Sequence, residues 1–172
     1  MQYLIFSDSH GNPMAMKKVI DRCICDTDGI IFLGDNIRDI EQLGKLYPEL
    51  KFYSVAGNCD VSLEYLKPEY QEKVLELDGI RVLITHGHQR SVKFYLGELC
   101  AYAKRADCDV VLFGHTHERV CESRYGQKPS YIFNPGSVSR PRDGLPASFG
   151  VLTVRNGQIL LSHGEIDPRK DV

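Results

Sequence analysis

An α/β fold is predicted by the opening of the chain, where short apolar runs alternate with stretches of helical period. That alternation is the signature of parallel strands joined by crossover helices. Two further observations refine it. Turn dipeptides divide much of the second half into hairpins and short strands, and five apolar runs are each followed at once by metal-binding or proton-handling residues.

Residues 2–7 are apolar and extended, and Asn12-Pro13 supplies an N-cap followed by Pro at the first helical position. Met16, Val19, Ile20 and Cys23 then recur at i, i+3, i+4 and i+7, one buried helical stripe. Gly29–Leu33 is a buried strand between breakers, Ile37, Ile40 and Leu43 predict a second, shorter helix, and Phe52–Val55 is a third strand. Lys73–Leu77 and Ile80–Ile84 flank Asp78-Gly79, a preferred hairpin turn. Val92, Tyr95, Leu96, Leu99, Ala103 and Ala106 predict the longest helix, which leads into the strand Asp109–Phe113. Within that helix Phe94, Tyr95 and Tyr102 are assigned to core or subunit packing. Beyond it the chain reads as all-β: strands over 119–125 and 130–133, then 148–154 and 158–162 around Asn156-Gly157, with 134–147 as one long irregular loop.

The length of 172 residues suits one domain, 1–172, and a chain of this size buries roughly 70% of its unfolded surface. A hydrophobic share of 42% excludes disordered and collagen-like classes. The formal charge of −2, without a basic run, speaks against nonspecific binding to nucleic acid or an anionic membrane. Apolar stretches of about five residues fall far short of the ~20 that a membrane helix needs. With neither a basic n-region nor a cleavage site at the N-terminus, a cytoplasmic location is expected. Six cysteines without a C-x-x-C pair then read as reduced, mostly buried packing thiols.

The chemistry lies at the five strand ends. Leu4–Ser7 is followed by Asp8-Ser9-His10, Ile30–Leu33 by Gly34-Asp35, and Tyr53–Ala56 by Gly57-Asn58-Cys59-Asp60. Val82–Thr85 leads into His86-Gly87-His88, and Val111–Phe113 into Gly114-His115-Thr116-His117. Ligands of open α/β sheets bind beyond the carboxyl ends of strands, so these tips are expected on one rim. Along extended chain, i and i+2 face the same way, so Asp8 with His10, and His115 with His117, are each expected to present two donors together. The candidate metal ligands are therefore Asp8, His10, Asp35, Asn58, His86, His115 and His117. Donors of this type suit Mn²⁺, Fe²⁺, Co²⁺, Ni²⁺ or Zn²⁺, with Mn²⁺ first choice, and seven of them fit two ions sharing a carboxylate. Two divalent ions against Asp8 and Asp35 leave the cluster positive, which attracts an anion and points to phosphoester hydrolysis.

In order and complete, D-x-H at 8–10, G-D at 34–35, G-N-x-D at 57–60, H-G-H at 86–88 and G-H-T-H at 114–117 resemble the calcineurin-like metallophosphoesterase signature. Asn134-Pro135-Gly136-Ser137 is similar to the small bacterial and archaeal YfcE-type phosphodiesterases. The resemblance implies a four-layer αββα sandwich of two mixed sheets. It assigns Asp8, His10, Asp35 and His117 to one metal, and Asn58, His86 and His115, with Asp35 bridging, to the other. The reaction implied is hydrolysis of a small phosphodiester by in-line attack of a metal-bound hydroxide, by a homodimer or larger assembly. A phosphomonoesterase or nucleotide hydrolase, or a non-catalytic protein-binding scaffold on the same fold, are the alternatives.

Cys59 stands where many members of that family carry His, which removes their usual proton donor; with Asp35, Asn58, His86 and His88 it completes the candidate catalytic set. His88 either touches substrate or orients the site. Asp60 either holds a ligand histidine in its tautomer or, the preferred reading, caps a helix C-terminal to it. Arg140 and Arg142 are read as a solvated turn in preference to a phosphate clamp, His163 as a surface residue, and Cys23, Cys25, Cys100, Cys108 and Cys121 as packing.

Overall fold

The computed structural model describes residues 1–166, and 167–172 of the expected single domain lie outside the described residues. Three helices and ten strands follow in chain order: β1 (Gln2–Phe6), α1 (Pro13–Cys23), β2 (Gly29–Phe32), α2 (Ile37–Gly44), β3 (Lys51–Ser54), β4 (Glu72–Leu77), β5 (Ile80–Thr85), α3 (Gly97–Arg105), β6 (Val110–Phe113), β7 (Arg119–Ser123), β8 (Tyr131–Pro135), β9 (Ser148–Arg155) and β10 (Gln158–Glu165). They form two mixed five-stranded sheets, β10-β9-β1-β2-β3 and β4-β5-β6-β8-β7. In the first, β1, β2 and β3 run parallel; in the second, β5, β6 and β8 do. The carboxyl ends of the parallel strands thus open on shared edges of their sheets.

Alternation within each strand builds the layers. On β1, Tyr3 and Ile5 join Ile31, Val82, Ile84, Leu112 and Phe133 in the core between the sheets. Their neighbours Leu4 and Phe6 face the other way, onto Met16, Val19 and Ile20 of α1 and Ile37, Ile40 and Leu43 of α2. On the outside of the second sheet, Leu83, Val111 and Phe113 meet Leu99 and Ala103 of α3. Strands covered on both faces read as continuous apolar runs, which is why β1, β2 and β6 carry almost no polar residue. Each fully buried aliphatic side chain here contributes roughly 1.5–3 kcal/mol relative to exposure. The result is the expected αββα sandwich, and no helix among the described residues is long and apolar enough to cross a membrane.

Local signals hold in detail. Asn12 caps α1 by accepting from Ala15 N, 3.3 Å away. Asp78-Gly79 and Asn156-Gly157 take positive φ at both positions (50° and 82°, 52° and 74°), as a type I′ turn requires.

Three expectations are corrected. The longest helix is α1, because α3 begins only at Gly97; Val92–Leu96 form turns in which Ser91 is left-handed. Phe94 is 89% and Tyr95 59% exposed, so neither packs in the core, while Tyr102 stacks under the Arg90 guanidinium at 3.8 Å. Of the six thiols only Cys108 is buried; Cys25, Cys59 and Cys121 are exposed.

Gly150 of β9 is a tight point between the sheets: a Cβ there would stand 2.4 Å from Phe133 Cε1 and 3.2 Å from Ile5 Cβ. Gly150→Val is therefore expected to cost at least ~1–3 kcal/mol through overpacking, read as a lower urea midpoint at unchanged slope. A wild-type midpoint would show that the sheets part without cost.

Candidate metal centre

Each candidate ligand sits just beyond a parallel strand: Asp8 after β1, Asp35 after β2, Asn58 after β3, His86 after β5 and His115 after β6. The two rims are stitched where they meet. His115 N donates to Asp8 Oδ2 (3.2 Å), while Ser137 and Ser139 hydroxyls both donate to the Asp8 carbonyl (2.9 and 3.0 Å).

Asp8 and His10 do converge, though not along extended chain, whereas His115 and His117 part: His117 joins Asp8 and His10, and the His115 ring packs against His86. Asp8, His10, Asp35, His115 and His117 have φ of 56°, 46°, 63°, 70° and 62°, so left-handed turns aim these side chains. Residues other than glycine enter that region at a cost, Asp, Asn and His least reluctantly, and such backbone is concentrated at functional sites.

Donor atoms of Asp8, His10, Asp35 and His117 all lie within 4.8 Å of one another. Asp35 occupies the middle. Its Oδ2 faces His10 Nε2 at 3.8 Å, and its Oδ1 faces His86 Nε2 at 3.4 Å. His86 Nε2 is also 3.2 Å from Asn58 Oδ1, and the His115 ring centroid is 5.0 Å from that of His86. His88 joins through ring packing only, 5.3 Å from His86 and 6.1 Å from His115. Donors to Asp35 come from Cys59, whose N–H reaches Oδ1 (2.9 Å) and whose thiol reaches Oδ2 (3.3 Å).

The donor chemistry fits divalent cations. His86 Nδ1 donates to the Leu33 carbonyl at 2.6 Å and His117 Nδ1 to the Arg140 carbonyl at 2.7 Å. In the neutral rings this leaves both Nε2 atoms as lone pairs aimed at oxygen acceptors and at each other's neighbours, an arrangement that a cation relieves. Metal-binding histidines characteristically anchor their second nitrogen this way. Asp8 Oδ1 is buried without a well-angled donor, although His117 Nε2 lies 3.1 Å away.

For the protein's own groups, a proton does part of this work. Burial pushes the Asp8 carboxyl up, but contact with His117 and the nearby His86 outweigh it and hold Asp8 below the usual carboxylate range. Burial likewise drives His117 down, yet Asp8 more than offsets it and raises that ring above the usual imidazole range. His115 lacks such a carboxylate contact and is pushed to about 4 by burial, then by His86. Burial, then the Asp35 charge, lifts the Cys59 thiol to about 11.

A sequence profile of the calcineurin-like phosphoesterase superfamily domain matches residues 1–157. The chain belongs to the calcineurin-like phosphoesterase superfamily. It is 32% identical over 157 residues to the probable metallophosphoesterase YsnB of Bacillus subtilis, covering 91% of this chain and 86% of that one. To the phosphodiesterase YfcE of Escherichia coli K12 it is 30% identical, covering 88% and 87%. A predicted phosphoesterase from Streptococcus pneumoniae shares its fold with a TM-score of 0.77 at 23% identity, covering 97% of this chain and 92% of that one.

Around the candidate centre, several residues do more than their sequence context announced. Asp60 caps no helix on its C-terminal side and touches no histidine. Its carboxylate instead accepts from the N–H groups of Gly57, Asp35, Asn36 and Ile37 (2.8–3.2 Å), clamping the Asp35 turn and the start of α2. Asp39, also buried, accepts from the Ser9 hydroxyl and Gly11 N and so fixes the Asp8–His10 loop. Asn134 Nδ2 donates to the Gly114 carbonyl and Thr116 Oγ1, holding the last tip. His163 is no surface residue: it stacks on Phe133 (4.4 Å) and donates from Nε2 to the Asn134 carbonyl at 2.7 Å. Arg140 and Arg142 contribute backbone, the Arg140 carbonyl to His117 Nδ1 and Arg142 N to the His117 carbonyl. Gly57 has no room for a side chain, since a Cβ would lie 2.1 Å from Asp35 Oδ1.

In chelator-treated protein, NMR titration is expected to show His117 holding its proton above pH 6.5, while His115 stays neutral down to about 4. Metal uptake near neutral pH then displaces the His117 proton, so affinity climbs as pH rises through that titration; the reverse order of the two rings would contradict the assignment. Asp60→Asn is expected to weaken metal binding roughly 10–100-fold, measured by calorimetry, because its clamp sets the Asp35 turn. An unchanged affinity would show that the turn holds without it.

Proposed function

We propose that the protein hydrolyses small phosphodiesters with two divalent cations held by the seven donors. Asp8, His10, Asp35 and His117 would hold one ion; Asn58, His86 and His115 would hold the second, with Asp35 shared. The observation that carries this reading is the Asp35 carboxylate, which turns one oxygen toward His10 and the other toward His86. Bound there, the cations supply a water of lowered pKa and positive charge for the phosphoryl oxygens. Mn²⁺ or Ni²⁺ is favoured over Mg²⁺ by the imidazole-rich set.

The chain's own residues keep that geometry. Cys59 is a positioning residue in this reading: its N–H and S–H donate to the two oxygens of Asp35, and a thiol near 11 makes a weak proton donor at neutral pH. His88 packs against His86 and His115 and shapes the wall of the site. The phosphodiesterase YfcE supports the diester over the monoester, and retention of every donor favours hydrolysis over a scaffold role. A cytoplasmic location and a homo-oligomeric state belong to the same proposal.

Manganese-loaded protein is expected to turn over bis(p-nitrophenyl) phosphate, and Asp35→Asn to lower kcat/KM by on the order of 10³-fold, several kcal/mol of lost charge stabilisation. Equal turnover by the variant would refute the proposal. In a parallel metal series, Mg²⁺ as the best activator would contradict the imidazole argument.

A further inference from the structure

Immediately beside the His115–His117 tip lies a cleft of about 310 Å³. Val92, Leu96, Phe113 and Val120 give it apolar lining, and Lys93, Thr116 and Arg142 line it as well. Thr116 lies between two candidate ligands in sequence, and Arg142 N donates to the His117 carbonyl at 3.0 Å, so the cleft and the centre share a wall.

Several basic groups of the protein are paired. Arg90 forks onto Glu72, Arg119 onto Asp143 and Glu165, and Lys128 onto Asp107 and Asp109. Among the described residues no carboxylate lies within ion-pair distance of the Lys93 ammonium or the Arg142 guanidinium. An ammonium and a planar guanidinium on one cleft suit the oxygens of a phosphate, which the guanidinium engages with two parallel hydrogen bonds. Glu118 lines the same cleft. Its carboxylate repels an anion at that end and accepts from a hydroxyl, so the complementary group is a phosphate borne on a hydroxylated, partly apolar unit. The space is at the small end of ligand sites, enough for one sugar-sized group.

We propose that this cleft is a specificity subsite for a second phosphate, carried on a sugar-like arm of the diester, with Lys93 and Arg142 as the residues that recognise it. The inference deepens the hydrolase reading and rests on it. No bond changes in the subsite; it holds the arm and so acts on KM.

Two chromogenic diesters that differ by one phosphate test it: thymidine 5′-(p-nitrophenyl phosphate) and its 3′-phosphorylated form. Manganese-loaded native protein is expected to show roughly 10-fold higher kcat/KM for the 3′-phosphorylated ester, through KM, the modest gain that exposed cations give. In the Lys93→Ala/Arg142→Ala double variant that ratio falls to about one. As a readout independent of turnover, amide spectra of chelator-treated protein are titrated with thymidine 3′,5′-bisphosphate. Lys93 and Thr116 signals are expected to shift in the native protein, and the Thr116 shift to be lost in the double variant. Equal rates on the two esters, a preference that survives the double variant, or shifts confined to other residues would overturn the subsite. No turnover of either ester by the native protein would instead bring down the hydrolase reading itself.

Discussion

Everything at the rim answers to one electrostatic constraint: two buried carboxylates and several imidazole lone pairs are brought to within a few ångströms where the sheets end. Burial of ionised groups is costly unless they are paired. Here the pairing built from protein alone is partial, a raised His117 against a lowered Asp8, with Asp8 Oδ1 short of a well-angled donor. Divalent cations held there would resolve the conflict by accepting the lone pairs that the Leu33 and Arg140 carbonyls already orient. Coordination and the fold's outer hydrogen bonds are therefore one design rather than two.

That design places strain where it is useful. Five of the seven candidate donors stand on left-handed backbone, a conformation that persists only if its surroundings fix it. Asp60 fixes the Asp35 turn by taking four backbone N–H groups, Asp39 fixes the Asp8–His10 loop, and Asn134 fixes the His115–His117 tip. Beneath them, the interlayer core of Ile5, Ile31, Ile84, Leu112 and Phe133 sets how closely the two rims approach. Lys93 and Arg142 line the neighbouring cleft, where the proposed substrate arm would lie.

Much of this was legible in the sequence because its causes are local. A strand buried on both faces must be apolar throughout, so β1, β2, β5 and β6 announce themselves, and the polar residue at which each run stops marks the rim. The Asp78-Gly79 and Asn156-Gly157 turns require positive φ that those residues supply. Other features arise from contacts distant in sequence. Asp60 has the local context of a helix cap, yet its partners lie 23–25 residues earlier, apart from Gly57. His163 gains its burial only when β10 pairs with β9 beside Phe133. The apolar spacing from Val92 onward mimics a long helix, but Val92 lines a cleft and the helix begins at Gly97. Alternation along extended chain gives Asp8 with His10 for the wrong reason, since left-handed turns bring them together, and it misses that His115 turns to His86 while His117 joins Asp8.

Electron paramagnetic resonance of the manganese-loaded protein reaches the central claim most directly, since it reports whether one carboxylate joins two ions. The expected result is an exchange-coupled spectrum that completes at two equivalents and disappears in Asp35→Asn. An isolated six-line manganese signal that saturates at one equivalent, in native protein, would contradict it.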